Sequence, residues 1–279
     1  MPVDYVVPAD VAAALEMRGA GYTVLAGGTD LYPQHVGRPM PSRVVDIGGL
    51  TELRGIAETA EGFRIGALTR WADIVAATLP GSFSGVRAAA LEVGAAQVQN
   101  AGTIGGNLCN ASPAADGVPV LLTLDASVEL TSATGTRSLP LEAFLTGYRQ
   151  TALGPDELLT AVVVPRVADG ARSSFLKLGL RRYLVISVVM VAVVVVLDPS
   201  GAVSDARVAV GACSPVARRL RSLESQLVGR SPDEIDAATI EGHLGSLVPI
   251  DDVRASADYR RAAASVLVRR AIARCGDVR

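Results

Sequence analysis

The chain has 279 residues, 49% of them hydrophobic, with a formal net charge of −2 and a pI near 5.8. That length and hydrophobic content support two or three subdomains with a sizeable core. The near-neutral charge excludes the basic footprint of a nucleic-acid binder.

The first predicted element is a short amphipathic helix from Pro8 to Arg18, with Val11, Leu15 and Met17 facing inward. Gly19 and Gly21 end it. Tyr22 to Ala26 reads as a strand that runs into the first glycine segment, Leu25-Ala-Gly-Gly-Thr-Asp30. Further strands are expected at Arg43 to Ile47 and Gly62 to Leu68. Thr69 is the expected N-cap of a helix reaching about Ala77; Ala72 at the third position gives no capping box. A longer helix, about Phe83 to Gln97, leads into the second glycine segment, Thr103-Ile-Gly-Gly-Asn-Leu-Cys-Asn-Ala-Ser-Pro-Ala-Ala-Asp116. Ala114 to Leu124 reads as helix, with Ser112 as N-cap and Pro113 in the first helical position. Ser127 to Ser132 and Thr136 to Leu139 form a hairpin around Thr134-Gly135, and Glu157 to Val164 is a strand closed by Pro165.

Arg166 to Arg172 is polar and is the expected linker. Beyond it, strands are expected at Ser174 to Leu180, Leu184 to Leu197 and Ala206 to Val210. The valine-rich run Leu184 to Leu197 is too short for a bilayer, which needs about 20 residues, and reads as a buried strand. Helical segments close the chain, one starting at Pro232 and the last from Tyr259 to Ala273.

The two glycine segments lie about 75 positions apart. Glycine allows positive φ and close backbone approach. Successive N–H groups in such turns form an anion site. Two of them point to a diphosphate-bearing cofactor gripped from two sides. Thr103 to Asn107 offers consecutive backbone donors, a hydroxyl and an amide; Asp116 can accept from a ribityl or ribose hydroxyl. Neither segment is a G-x-G-x-x-G or Walker pattern, which disfavours a Rossmann fold.

Cys109, Cys213 and Cys275 are scattered, and His35 and His243 lie far from them in sequence, so no zinc or iron–sulfur site is expected on this chain. Scattered, odd cysteines and an N-terminus without a basic-then-apolar stretch predict a reducing, cytoplasmic location. With no Ser–His–Asp or Cys–His set in view, the chemistry should belong to the cofactor.

These motifs together resemble the FAD-binding (medium) subunit of the molybdenum hydroxylases, the xanthine dehydrogenase and carbon monoxide dehydrogenase family, over essentially the whole chain. Its Ala-Gly-Gly-x-x-Leu loop is matched by Ala26 to Leu31, and its Thr-Ile-Gly-Gly-Asn element with a distal Pro-x-x-Asp by Thr103 to Asp116. Its Gly-Tyr-Arg turn is matched at Gly147 to Arg149, its Asp-Glu-Leu-Leu strand at Asp156 to Leu159, and its lysine before an arginine-rich turn by Lys177 with Arg181 and Arg182.

The resemblance implies an α+β fold. A two-part FAD-binding domain of the PCMH (vanillyl-alcohol oxidase-like) type, residues 1–168 in subdomains of about 1–55 and 56–168, would precede a smaller α+β domain, 172–279. It implies non-covalent FAD, with Val24, Leu25, Ala26, Gly27, Gly28, Thr29, Asp30 and Leu31 around the diphosphate. Thr103, Ile104, Gly105, Gly106 and Asn107 would hold the diphosphate and the flavin edge, Asp116 the ribityl or ribose hydroxyls, and Leu158 and Lys177 the isoalloxazine border. Partners are implied too: a large molybdopterin subunit that hydroxylates substrate and a small subunit with two [2Fe–2S] clusters, as a heterotrimer or its dimer. Tyr183-Leu-Val-Ile-Ser187 stands where xanthine dehydrogenases carry an acidic pair, which disfavours an NAD-type acceptor site. The competing expectations are a self-contained FAD oxidoreductase, resembling the cell-wall UDP-sugar reductases, and a scaffold that has lost flavin.

Overall fold

A computed structural model describes residues 3–182 and 184–276; Tyr183, at the start of the departure noted above, lies outside them. The first residues build a small parallel sheet, β1 (Asp4–Val6), β3 (Arg43–Asp46) and β2 (Thr23–Leu25), in that order. Helix α1 (Val11–Gly19) covers it. Its start is later than expected because Asp10 caps it, accepting from the Ala13 amide. A one-turn helix, α2 (Leu31–Gln34), follows the first glycine segment directly.

The second sheet is antiparallel throughout, in the order β4 (Ile56–Glu58), β5 (Gly62–Gly66), β10 (Leu158–Pro165), β6 (Ser127–Ser132), β7 (Gly135–Pro140). A ribbon of β8 (Leu145–Gly147) and β9 (Gln150–Thr151) holds the Gly-Tyr-Arg turn, with Arg149 in the left-handed region. Between β5 and β6 lie α3 (Trp71–Ala76), α4 (Ser84–Glu92), α5 (Ala96–Ala101), α6 (Ile104–Asn110) and α7 (Gly117–Thr123).

Four local expectations fail here, each for a tertiary or capping reason. Thr69 does not cap α3: its hydroxyl is engaged by both the N–H and C=O of Gly55. The cap falls to Arg70, whose amide donates to the Asp73 carboxylate, so an acidic residue does occupy the capping-box position. The expected single helix from Phe83 to Gln97 is two, broken at Gly94, which takes φ +56°. The helix expected from Ala114 begins only at Gly117, because Ser112 spends its hydroxyl on the Ala114 amide in a preceding turn.

The third sheet is an antiparallel meander, β11 (Arg172–Leu178), β12 (Val189–Leu197), β13 (Val203–Gly211) and β14 (Arg218–Arg219). Strand β12 shows why its sequence is an unbroken apolar run. Met190, Ala192 and Val194 point into the core shared with α4 and α7. Val189, Val191, Val193 and Val195 point into a second core with the C-terminal helix Ala257–Gly276. A strand covered on both faces gains from apolar, β-branched residues at every position. The sheet thus joins the two cores. Its start is five residues later than expected: Leu184 has φ +53° and is exposed, and its carbonyl is held by Arg181. Pro232 opens only a 3-10 turn, Pro232–Glu234. Among the described residues no helix is long and apolar enough to cross a membrane.

Candidate cofactor-binding site

The first glycine segment leaves β2 and must turn at once beside α5. Gly27 makes this possible: a Cβ there would stand 2.0 Å from the Ala101 carbonyl oxygen. Gly28 follows in the left-handed region, φ +71°. Among the described residues no protein acceptor takes the amides of Gly27, Gly28 or Thr29. Consecutive free N–H groups are the donors an anionic ligand requires.

The second segment is not a loop. Thr103 caps α6, its hydroxyl accepting from the Gly106 amide. The Ile104 amide donates to Thr69 C=O, Gly105 to Ala67 C=O and Asn107 to Thr103 C=O. Of the backbone donors expected to face the cofactor here, those of Ile104, Gly105, Gly106 and Asn107 are therefore used inside the protein; among the described residues only the Thr103 amide is given no acceptor. Gly105 is required for packing, since a Cβ would lie 2.7 Å from that of Ala67. The first segment supplies consecutive free amides, and the second supplies a rigid wall, side chains and the Thr103 amide.

The two segments enclose a cavity of about 560 Å³, within the range of small-molecule and cofactor sites. All eight residues from Val24 to Leu31 line it, as do Thr103, Gly105, Gly106, Asn107 and Leu158. Ile104 does not; it is fully buried in the core below. Among the lining residues that sequence reasoning missed are Arg18, Trp71, Val93, Val98 and Leu153. They come from five separate stretches, and no local signal joins them.

Asp116 and Lys177 do not line the cavity. They form a buried ion pair at 2.8 Å, and Lys177 also donates to the Glu92 carbonyl. Ser187 donates to the same carboxyl group. Burial outweighs the lysine and pushes the Asp116 carboxyl up to about 6. The pair fastens β11 to the C-terminal end of α4 and the start of α7, next to the wall residue Val93.

Asn107 carries the fit to a ligand. Its side-chain carbonyl oxygen is buried without a hydrogen-bond partner. Asn107 lines the cavity, and its side-chain amide can turn end for end, exchanging donor and acceptor, to suit a bound group. An orphaned buried acceptor costs about 1–3 kcal/mol, which a ligand can remove. Asn107→Leu is therefore expected to leave the ligand-free chain equally or more stable in a urea titration, while weakening FAD binding at least about tenfold by fluorescence titration. Unchanged affinity would detach Asn107 from the cofactor.

Residues 1–167 match the model of the FAD binding domain in molybdopterin dehydrogenase, and residues 174–275 match the CO dehydrogenase flavoprotein C-terminal domain. The chain belongs to the FAD-binding flavoprotein subunits of the molybdopterin dehydrogenases. It is 38% identical to the nicotinate dehydrogenase FAD-subunit of Eubacterium barkeri over 213 residues, 74% of this chain and 71% of that one. It is 30% identical to the carbon monoxide dehydrogenase medium chain of Hydrogenophaga pseudoflava, covering 95% of this chain and 94% of that one. A chain of the reconstituted CO dehydrogenase from Oligotropha carboxidovorans superposes with a TM-score of 0.91 at 28% identity, covering 99% of each. This flavoprotein subunit is thus an FAD-carrying electron-transfer part of a multisubunit oxidoreductase, with the α+β fold that the motifs imply.

Proposed function

We propose that the cavity between the two glycine segments holds FAD non-covalently, with Val24 to Leu31, Thr103, Gly105, Gly106, Asn107 and Leu158 in contact with it. Ile104, Asp116 and Lys177 support that wall from behind, the last two by clamping β11 against α4 and α7. When bound, FAD supplies reversible electron transfer. The free amides of Gly27, Gly28 and Thr29 bind the diphosphate, and the aliphatic wall excludes water. The observation that carries this reading is the orphaned Asn107 amide beside those unengaged backbone donors.

The subunit passes electrons from [2Fe–2S] clusters on a small partner subunit to an external acceptor, while a large molybdopterin subunit performs the hydroxylation, in a reducing, cytoplasmic compartment. The charged residues lining the cavity are Arg18 and Asp30 alone among the described residues. Neither pairs with a second titratable group as a general acid and base would, which favours a relay over a self-contained oxidoreductase. Expression with the neighbouring genes tests the reading. The expected product is a yellow-brown complex with two further subunits, stoichiometric FAD, molybdenum and iron–sulfur absorbance. A chain that purifies alone and turns over a substrate with FAD only would overturn the relay assignment. A chain that takes up no flavin at all would overturn the site.

A further inference from the structure

The cavity contains a cation that no motif in the sequence marks. Arg18 lies in the last turn of α1, and its side chain reaches the cavity wall. Its Nε donates to the Glu157 carbonyl at 3.3 Å and one Nη to the Gly154 carbonyl at 3.4 Å. Both acceptors are neutral. Among the described residues no carboxylate pairs with Arg18, and its second terminal nitrogen has no partner. The receiving turn is itself rigid. The Glu157 carboxylate accepts from the Gly154 amide and takes a bidentate interaction from Arg137.

A half-buried guanidinium without a counter-ion is unfavourable unless a ligand supplies the negative charge. Among the described residues the one carboxylate lining the same cavity, Asp30, does not do so; it accepts from Asn110, which is bound in turn by Gln34 and Arg149. The other lining residues are neutral. A dinucleotide held by the amides of Gly27 to Thr29 carries a diphosphate, and backbone dipoles offset only part of that charge. The lining residues also divide by their contacts. Trp71, Gly102 and Val98 are tied to one another through backbone bonds and adjoin apolar Val93. Arg18 bonds instead to the turn at Gly154 and Glu157.

We propose that Arg18 is a cofactor-binding residue that pairs with the diphosphate of the dinucleotide. This inference rests on the assignment of the cavity to FAD and adds a side-chain cation to the amides that hold its diphosphate. A fixed, pre-oriented guanidinium is well matched to phosphate oxygens.

The test is binding to the full-length apo chain, measured by isothermal titration calorimetry with ADP and with FAD at low and high salt. Arg18→Met is expected to weaken ADP and FAD by the same factor, about tenfold or more. It should also flatten the salt dependence of both. If Arg18→Met does not fold, Arg18→Gln gives the same reading, since it keeps a donor toward the carbonyls and removes only the charge. FAD affinity within twofold of the unsubstituted chain would overturn the proposal. So would a loss for FAD with ADP unaffected, or no ADP binding by an unsubstituted chain that does bind FAD. No FAD binding by that chain would instead overturn the cavity assignment itself.

Discussion

Gly27→Ala is expected to destroy flavin retention while the control Gly49→Ala, one strand away, leaves it intact. The added methyl at position 27 would stand 2.0 Å from the Ala101 oxygen, 2.7 Å from its carbonyl carbon and 3.0 Å from Gly102 Cα. All three are backbone atoms, so no side chain can swing aside. The two glycine segments must separate by an ångström or more. That strain should cost about 1–3 kcal/mol of apo stability, and a displacement of this size in a positioned donor set lowers affinity by about a hundredfold. At Gly49 nothing lies within 4 Å of a Cβ, and its φ is not positive. The readouts are the flavin-to-protein absorbance ratio after gel filtration and a urea titration. Equal flavin content in the two variants would mean that the contact between the segments does not shape the site.

Lys177→Met is expected to destabilise the chain by about 3–5 kcal/mol, because it leaves Asp116 buried without its cation. Lys177→Met combined with Asp116→Asn should recover most of that loss, since neither charge is then buried. A pH profile provides an independent check. Burial raises the Asp116 carboxyl from 3.8 to about 6 in the folded chain. The native state therefore binds more protons than the unfolded one between those values. Stability from this group is greatest below about pH 4 and falls, by about 3 kcal/mol in all, as pH rises to about 6. The double variant should lose that slope. Additive single effects, or an unchanged slope, would show that the two side chains act independently. Flavin content of the single variant should fall as well, because Lys177 holds the end of α4 from which the Val93 wall extends.

The case of Lys177 shows where sequence reasoning ends. Its uniqueness among 26 basic residues marks it in the sequence, and the family pattern assigns it to the flavin border. The fold instead turns it onto Asp116, 61 residues away, and the two hold a domain contact. The glycine segments followed a similar course. Their presence, spacing and phosphate character were legible because glycine, threonine and asparagine are rare in such uncharged runs for other purposes. Which segment keeps its amides free was not legible. That depends on Ala67, Thr69 and Thr103 arriving as acceptors for the second segment, and on none arriving for the first.

The same division holds for the chain as a whole. Periodicity and turn chemistry, which act over a few residues, determined the strands near Thr23, Arg43 and Ser127, the hairpin at Gly135, the valine-rich strand and the C-terminal helix. Motif order determined the cofactor and the family. The tertiary structure alone decided which two cores β12 joins, that Asn107 is left without a partner, and that Arg18 reaches the cavity from a helix with no marked sequence. The reason is physical. A hydrogen bond or a counter-ion is a property of two groups. Whether a given donor, acceptor or charge finds its partner within the protein or must find it in a ligand is settled only when distant segments have packed.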